Sequence, residues 1–222
     1  MTELTKSDPP AALRPASGLG FALLALAAVT VAAAALRYLV PGTPAAPPSV
    51  LSNVHAAPFL PLHAGFGALG LVLGPLQFLP RLRRSAPFIH RLIGSSYLLA
   101  CLVAAVAGLM LAIGATAGPI AGAGFAALAL GWIVTTGLGA VFALRGRFAA
   151  HRRWMIRSFA LTSSAVTLRL QLGAGGVSGL DFDLIYLTAA WACWIPNLIA
   201  AELYILATGL TAQNQPASRR AG

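Results

Sequence analysis

Two histidines have the residue type and the placement needed to hold a metal or a haem. His90 and His151 each open a long apolar segment, and each is followed by an arginine, Arg91 or Arg152. Two imidazoles at one depth predict axial ligation of a b-type haem, with the arginines pairing with its propionates. With Glu202, the same histidines would instead form a metal site of two histidines and one carboxylate. The simpler alternative is that both are interfacial residues that contact anionic lipid head groups.

A second candidate cluster lies toward the other end of the apolar segments. It consists of His63, Arg169, Asp181 and Asp183. An aspartate beside Arg169 would remove the cost of an isolated charge, so the sequence predicts a structural ion pair between Arg169 and an aspartate. His63 either joins this network or takes part in proton or substrate handling.

Four further polar residues are predicted to lie at the same depth as the histidine pair: Gln77, Arg157, Asn197 and Glu202. Glu202 is the single acid of the last apolar segment, and the simplest prediction is an ion pair with Arg91, Arg157 or another arginine of the basic connections. Asn197 follows a proline, whose missing N–H frees a backbone carbonyl that the amide can bind. Ionisable groups at membrane depth are costly, so each is a functional hypothesis.

The elements that carry these residues are predicted from composition and length. Apolar residues make up 58% of the 222-residue chain and charged residues only 9%, whereas soluble domains carry about a quarter charged residues. A helix that spans a bilayer needs about 20 mostly apolar residues. Six segments satisfy this requirement: 20–40, 58–79, 90–113, 120–144, 153–172 and 184–208. The sequence therefore predicts an all-α, six-helix transmembrane domain over residues 19–209, with disordered cytoplasmic tails at 1–18 and 210–222.

Arginines lie on alternate connections between these segments, and this pattern predicts the orientation. The segment 81–91 carries four arginines and 145–157 carries five, whereas the connections 41–58 and 114–118 carry none. Lysine and arginine are retained on the cytoplasmic side of a membrane. Both termini are therefore predicted to be cytoplasmic, in a multi-pass protein of a bacterial inner membrane.

Several function classes are excluded. The formal charge of +10 does not indicate nucleic-acid binding, because the basic residues flank apolar segments instead of forming a polar patch. Cys101 and Cys193 lie singly in apolar segments without a CxxC pair, and they are predicted to be buried helix residues. The sequence has no P-loop and no GxSxG motif, so any coupling energy must come from partners or gradients.

Short motifs follow one another along the second to sixth predicted helices. They are His63 with Gly74-Pro75-Leu76-Gln77-Phe78-Leu79, His90-Arg91-x-x-Gly94-x-x-Tyr97, His151-Arg152-Arg153-Trp154-Met155-Ile156-Arg157-Ser158, Thr167-Leu168-Arg169, and Trp194-x-Pro196-Asn197 followed by Glu202. In this order they resemble a bacterial family of predicted membrane proteins, the domain of unknown function 2306. The resemblance implies a polytopic membrane protein and brings no established reaction. A looser likeness to haem-bearing membrane bundles is analogy alone.

Three functions remain open from the sequence. The leading hypothesis is a redox-type membrane protein that binds one b-type haem between His90 and His151. The alternative is a small-molecule or proton-coupled carrier that uses His63, Arg169, Gln77 and Glu202. The third is an assembly or interaction protein with no chemistry of its own.

Overall fold

The described part of the chain is helical, without a strand. The computed structural model describes residues 18–40 and 48–210, and in them a 3-10 turn, Leu36–Leu39, extends the first of ten α-helices. The helices are α1 Gly18–Ala35, α2 Pro48–Leu51, α3 Ala56–Gln77, α4 Pro80–Ser85, α5 Pro87–Ile113, α6 Pro119–Leu144, α7 Phe148–Thr162, α8 Ser164–Val177, α9 Phe182–Ala192 and α10 Ile195–Ala207. The predicted all-α class is confirmed. The predicted tails, apart from Gly18 and Leu210, lie outside the described residues.

Within the described residues, five stretches are long and apolar enough to cross a bilayer. They are Gly18–Leu39, Ala56–Gln77, Pro87–Ile113, Pro119–Leu144 and Phe182–Ala207. The last stretch consists of α9 and α10, which follow each other across a break before Pro196. The chain is therefore an integral membrane protein with several membrane-spanning helices.

The segment predicted as a helix over 153–172 differs from the expectation. It is divided between α7 and α8, which meet at Ser163, and α7 carries one histidine and three arginines among its 15 residues. At the break, side chains bind the backbone: the Ser164 hydroxyl donates to the Leu161 carbonyl at 2.5 Å. Serine hydroxyls compete with the helical ladder in this way. The described residues thus contain five candidate spans where the sequence predicted six.

The core of the bundle lies where α3, α5, α6 and α7 pack side by side. Gly74 on α3 allows this close approach, because a Cβ at its position would lie 2.5 Å from the Phe159 ring of α7. Small residues at helix interfaces let backbones come together in the absence of a hydrophobic driving force. The buried core residues around this contact are Tyr97, Cys101, Ala104, Ala105, Trp132, Phe159 and Leu161.

The two ends of the bundle differ in charge. One end, called the basic end, holds α4 and the connection from α6 to α7, with exposed arginines at 81, 83, 84, 145 and 147. Arg153 donates to the Leu210 carbonyl at 2.8 Å, which brings the end of α10 to the same place. The opposite end holds the 3-10 turn, the first half of α3 and α8, and it is called the cavity end.

Candidate functional site

A cavity of about 260 Å³ lies at the cavity end, among α3, α5, α6, α8 and α9. The 3-10 turn after α1 contributes Arg37 and Tyr38 to its wall. Thr162 and Ser164, on either side of the α7–α8 break, also line it, as does Cys193 at the α9–α10 break. Irregular backbone is tolerated at membrane depth where it lines a cavity. Both helix breaks therefore open onto one cavity.

His63 lines the cavity in a fixed orientation. Its Nδ1 lies 2.8 Å from the Ala104 carbonyl of α5. A carbonyl can only accept, so Nδ1 carries the hydrogen and donates, which leaves the Nε2 lone pair of a neutral ring for another partner. Gly108 makes room for the ring, because a Cβ at its position would lie 2.9 Å from Nδ1.

Arg169 lines the same cavity, and its charge acts on His63. The structure therefore brings together these two members of the predicted cluster. Arg169 is half-buried, and its Nη1 donates to the Ala165 carbonyl at 3.0 Å. No carboxylate of the described residues forms an ion pair with it.

The predicted ion pair between Arg169 and an aspartate is wrong. Asp181 is exposed and caps α9: its Oδ1 accepts the backbone N–H of Asp183 at 3.0 Å and of Leu184 at 3.1 Å. Asp183 is exposed in the first turn of the same helix. Both carboxylates favour the N-terminus of α9, where unpaired backbone donors and the helix dipole stabilise negative charge.

Aromatic rings form one wall of the cavity. Tyr186 lies between two phenylalanines, with ring centroids 5.0 Å from Phe125 and 5.5 Å from Phe182. Across the 3-10 turn, Arg37 lies over the ring of Tyr38, 5.1 Å from its centroid. Aromatic faces of this kind provide flat apolar contact area for a ligand.

A buried hydroxyl network reaches the cavity through Trp132 and Thr162. Thr162 Oγ1 accepts the indole N–H of Trp132 at 3.0 Å and lies 2.9 Å from the Tyr97 hydroxyl. The Tyr97 hydroxyl also lies 3.0 Å from Ser158 Oγ, which in turn lies 2.7 Å from Thr136 Oγ1. Sequence reasoning did not identify Trp132 and Thr136. The sequence signal that could have identified them is their spacing of four residues, which places two polar-tipped side chains on one face of an apolar helix.

Near the basic end, Arg157 and Glu202 form a bidentate ion pair. Arg157 Nε donates to Oε1 at 2.5 Å and Nη2 donates to Oε2 at 2.8 Å. The guanidinium also lies over the Trp154 ring, 4.6 Å from its centroid. This confirms the predicted pairing of Glu202 with an arginine of the basic connections. Planar two-point pairing is the strongest geometry for this contact.

The amide side chains of the same cluster have separate roles. Asn197 Oδ1 accepts the Thr167 hydroxyl at 3.1 Å, and its Nδ2 donates to the Ala160 carbonyl at 3.3 Å. Asn197 therefore ties α10 to both sides of the α7–α8 break. The amide oxygen of Gln77 lies against Gly94, while its Nε2 is buried without a partner among the described residues.

His90 and His151 lie toward the basic end, and neither lines the cavity described above. His151 Nδ1 lies 2.8 Å from the Gly139 carbonyl and therefore donates to it. His90 Nδ1 is buried and has no hydrogen-bond partner in the described part of the chain. Arg91 and Arg152 are both exposed.

Residues 18–40 and 48–210 contain no group of three or more side chains that could bind a metal ion. No three His, Cys, Asp or Glu side chains among them lie close enough together to hold one. The alternative set of His90, His151 and Glu202 is therefore wrong, because Glu202 is bound to Arg157 instead. Cys101 and Cys193 are buried free thiols, as predicted.

The helices and the cavity together define the class of this chain as a polytopic α-helical membrane protein with a cavity between its helices, whose mostly apolar lining includes His63 and Arg169. The family described as predicted membrane protein (DUF2306) matches residues 60–205, more than half of the chain. The chain belongs to this family, as its motifs predicted. No curated protein and no solved structure matches it. The matched region contains His63, Arg169 and the aromatic wall, whereas α1 and Arg37 precede it.

Proposed function

We propose that this protein binds a small molecule in the cavity beside its broken helices and acts as a membrane carrier for it. The observation that supports this function is the convergence of His63 and Arg169 on one cavity within a membrane bundle. Ligand cavities usually measure about 300–1,000 Å³, so a volume of about 260 Å³ suits a small solute.

The two helix breaks support the carrier role in particular. Carriers commonly bind their substrate where membrane helices are interrupted, because free backbone groups and side chains meet there. In this chain the α7–α8 break and the α9–α10 break line the same cavity, and Asn197 connects them through the Ala160 carbonyl. At the α7–α8 break, side chains bind the freed carbonyls: Asn197 donates to Ala160 and Ser164 donates to Leu161.

The carrier requires a defined orientation, and we infer six passages through a bacterial inner membrane with both termini in the cytoplasm. The α7–α8 pair supplies the sixth passage as a broken helix. The exposed arginines of α4 and of the α6–α7 connection lie at the basic end, which is the cytoplasmic side on this proposal. There they contact anionic lipid head groups.

Reporter fusions test this orientation. Fusions after Leu79 and after Leu144 are expected to report the cytoplasm. Fusions near Ala46 and near Gly176 are expected to report the outside. A reversed result at either pair of positions would overturn the proposed topology.

Thiol accessibility tests whether the cavity admits a solute. Gly67 lines the cavity and Gly137 does not, and a Cβ at either position meets no atom within 4 Å. In a chain with Cys101→Ala and Cys193→Ala, methyl methanethiosulfonate is expected to modify Gly67→Cys at least about tenfold faster than Gly137→Cys. Equal rates, or an unreactive Gly67→Cys, would contradict a solute cavity.

A second candidate function is a redox role with one b-type haem between His90 and His151. It is supported by the unpartnered Nδ1 of His90 and by the tautomer of His151, whose Nε2 lone pair is free to ligate. Arg91 and Arg152 would then pair with the propionates. A bound haem would supply one-electron transfer.

Absorbance of the protein purified in mild detergent tests the haem. A sharp reduced-state band is expected in the wild type and in His55→Ala, and its loss is expected in His90→Ala and in His151→Ala. A colourless wild-type protein from cells supplied with haem would remove this candidate and leave the carrier.

A further inference from the structure

We propose that the ligand of the cavity is a small soluble organic anion, an acidic group attached to a flat apolar body, and that Arg169 binds the acidic group. This inference rests on the proposed carrier function and names its substrate class. It is carried by the charge of the lining, the unused donors of Arg169 and the aromatic wall.

The lining of the cavity is positively charged. Among the described residues it contains the cations Arg37 and Arg169 and the neutral ring of His63, and it contains neither aspartate nor glutamate. Arg169 forms no ion pair with a carboxylate of the described residues. A guanidinium withdrawn from water without a counter-ion is costly, and within a membrane the cost rises further. An anionic ligand would supply the missing counter-charge.

Arg169 has the donors that such a ligand needs. A guanidinium has five N–H donors in a planar fork, and the Ala165 carbonyl occupies a single one, through Nη1. This fork matches the two oxygens of a carboxylate or the oxygens of a phosphate ester. Because Arg169 is held by its own helix and not by an acid, its charge remains available to the cavity.

The aromatic wall of the cavity defines the body of the ligand. Phe182 and Tyr186 are stacked with their rings 16° apart, and Phe125 packs against Tyr186. Gly67 leaves open space on α3 where any other residue would project a side chain. The lining therefore combines a cationic group with a flat apolar surface, as expected for a site that binds an aromatic or cyclic acid.

The size of the cavity decides between a soluble acid and a lipid. About 260 Å³ is less than the usual range for drug-sized ligands, and a phospholipid with two acyl chains is larger than these. The ligand is therefore inferred to be a soluble acid that enters as a whole.

The test compares benzoate with its neutral isostere benzamide, using calorimetric titration of the purified full-length protein in detergent. The wild type is expected to bind benzoate at least about tenfold more tightly than benzamide. Arg169→Gln is expected to weaken benzoate binding by about 10- to 100-fold, the range for a charge-assisted hydrogen-bonded pair, and to leave benzamide binding unchanged.

The control removes the same charge outside the cavity. Arg84 is exposed on α4 at the basic end, and Arg84→Gln is expected to bind benzoate as the wild type does. Phenyl phosphate in place of benzoate distinguishes a phosphate-bearing ligand from a carboxylate. An anionic lipid in mixed micelles that displaces benzoate with higher affinity would replace the soluble acid by a lipid.

The outcomes separate this inference from the function on which it rests. If benzoate and benzamide bind equally, or if Arg169→Gln leaves benzoate binding unchanged, the inferred anion is overturned while a solute cavity stands. If Gly67→Cys is also closed to methyl methanethiosulfonate and no probe binds, the proposed carrier function fails together with the anion.

Discussion

Arg157 and Arg169 lie on one continuous stretch of chain, and the bundle uses them in opposite ways. Toward the basic end, Arg157 forms a two-point ion pair with Glu202. At the cavity end, Arg169 is half-buried, binds a carbonyl of its own helix and faces a cavity. A charge inside a membrane bundle needs compensation from the protein or from something that the protein binds. The comparison therefore separates a structural arginine, Arg157, from Arg169, which we propose binds a ligand.

The largest expected difference in stability is between Arg157→Met and Arg169→Met. Arg157→Met leaves Glu202 unpaired and is expected to lower the free energy of unfolding by about 2–3 kcal/mol. That is less than the usual 3–5 kcal/mol for a buried pair, because the Glu202 side chain is 42% exposed. Arg169→Met breaks no ion pair and is expected to change stability by less than about 0.5 kcal/mol or to raise it.

Unfolding by sodium dodecyl sulfate in mixed micelles measures both variants under the same conditions. Adding Glu202→Leu to Arg157→Met is the control, and it is expected to recover part of the loss because no charge is then left unpaired. Equal losses in the two single variants would show that the two arginines have the same structural role, contrary to the comparison.

The next effect concerns the packing of two glycines on α3, one in the core and one at the cavity. Gly74 lies against Phe159, whereas Gly67 faces open space in the cavity. Gly74→Ala is therefore expected to cost about 2 kcal/mol through overpacking. Gly67→Ala meets no atom and is expected to stabilise the helix by up to about 1 kcal/mol, because alanine has the higher helix propensity.

The same unfolding titration checks this pair, and the thermal midpoints of the two variants are expected to move in opposite directions. A loss in Gly67→Ala as large as that in Gly74→Ala would mean that the cavity end is packed as tightly as the core. The matched position on another helix is Gly137, where alanine also meets no atom.

Much of the architecture was predictable because it depends on local properties of the chain. Five of the predicted segments are candidate spans in the structure. Three of them are the single helices α3, α5 and α6, one is α1 with its 3-10 turn, and one is α9 followed by α10. The pairing of Glu202 with an arginine of the basic connections was predictable as well, since an acid at that depth needs a cation and few are within reach. The family was predictable from the order of its motifs.

The helix break and the cavity were not predictable, because both depend on tertiary contacts. The α7–α8 break is stabilised by Asn197, which lies 37 positions after Ala160 in the sequence and donates to its carbonyl. The prediction of an ion pair for Arg169 was wrong for a local reason. The Asp181 carboxylate accepts hydrogen bonds from the backbone N–H groups at the start of its own helix instead. Charge depth alone does not show which partner a carboxylate prefers.

A smaller effect is expected from the hydroxyl network that separates the two ends. Tyr97→Phe removes the contacts at 3.0 Å to Ser158 and 2.9 Å to Thr162, and both partners are buried. The expected loss is about 1–2 kcal/mol, since two buried groups lose one partner while others remain. Tyr204→Phe, outside this network, is the matched control, and an equal loss there would show that the network adds no stability.

The smallest effect tests whether Arg169 is independent of the exposed aspartates. Asp181→Ala removes the cap of α9 and is expected to cost about 1 kcal/mol, as loss of an N-cap usually does. Because Asp181 and Arg169 form no ion pair, Asp181→Ala combined with Arg169→Ala is expected to be additive to within about 0.5 kcal/mol. A coupling energy well above that value in a double-mutant cycle would mean that Asp181 neutralises Arg169 in the membrane. In that case Arg169 would resemble Arg157, and its charge would not be available to an acid in the cavity.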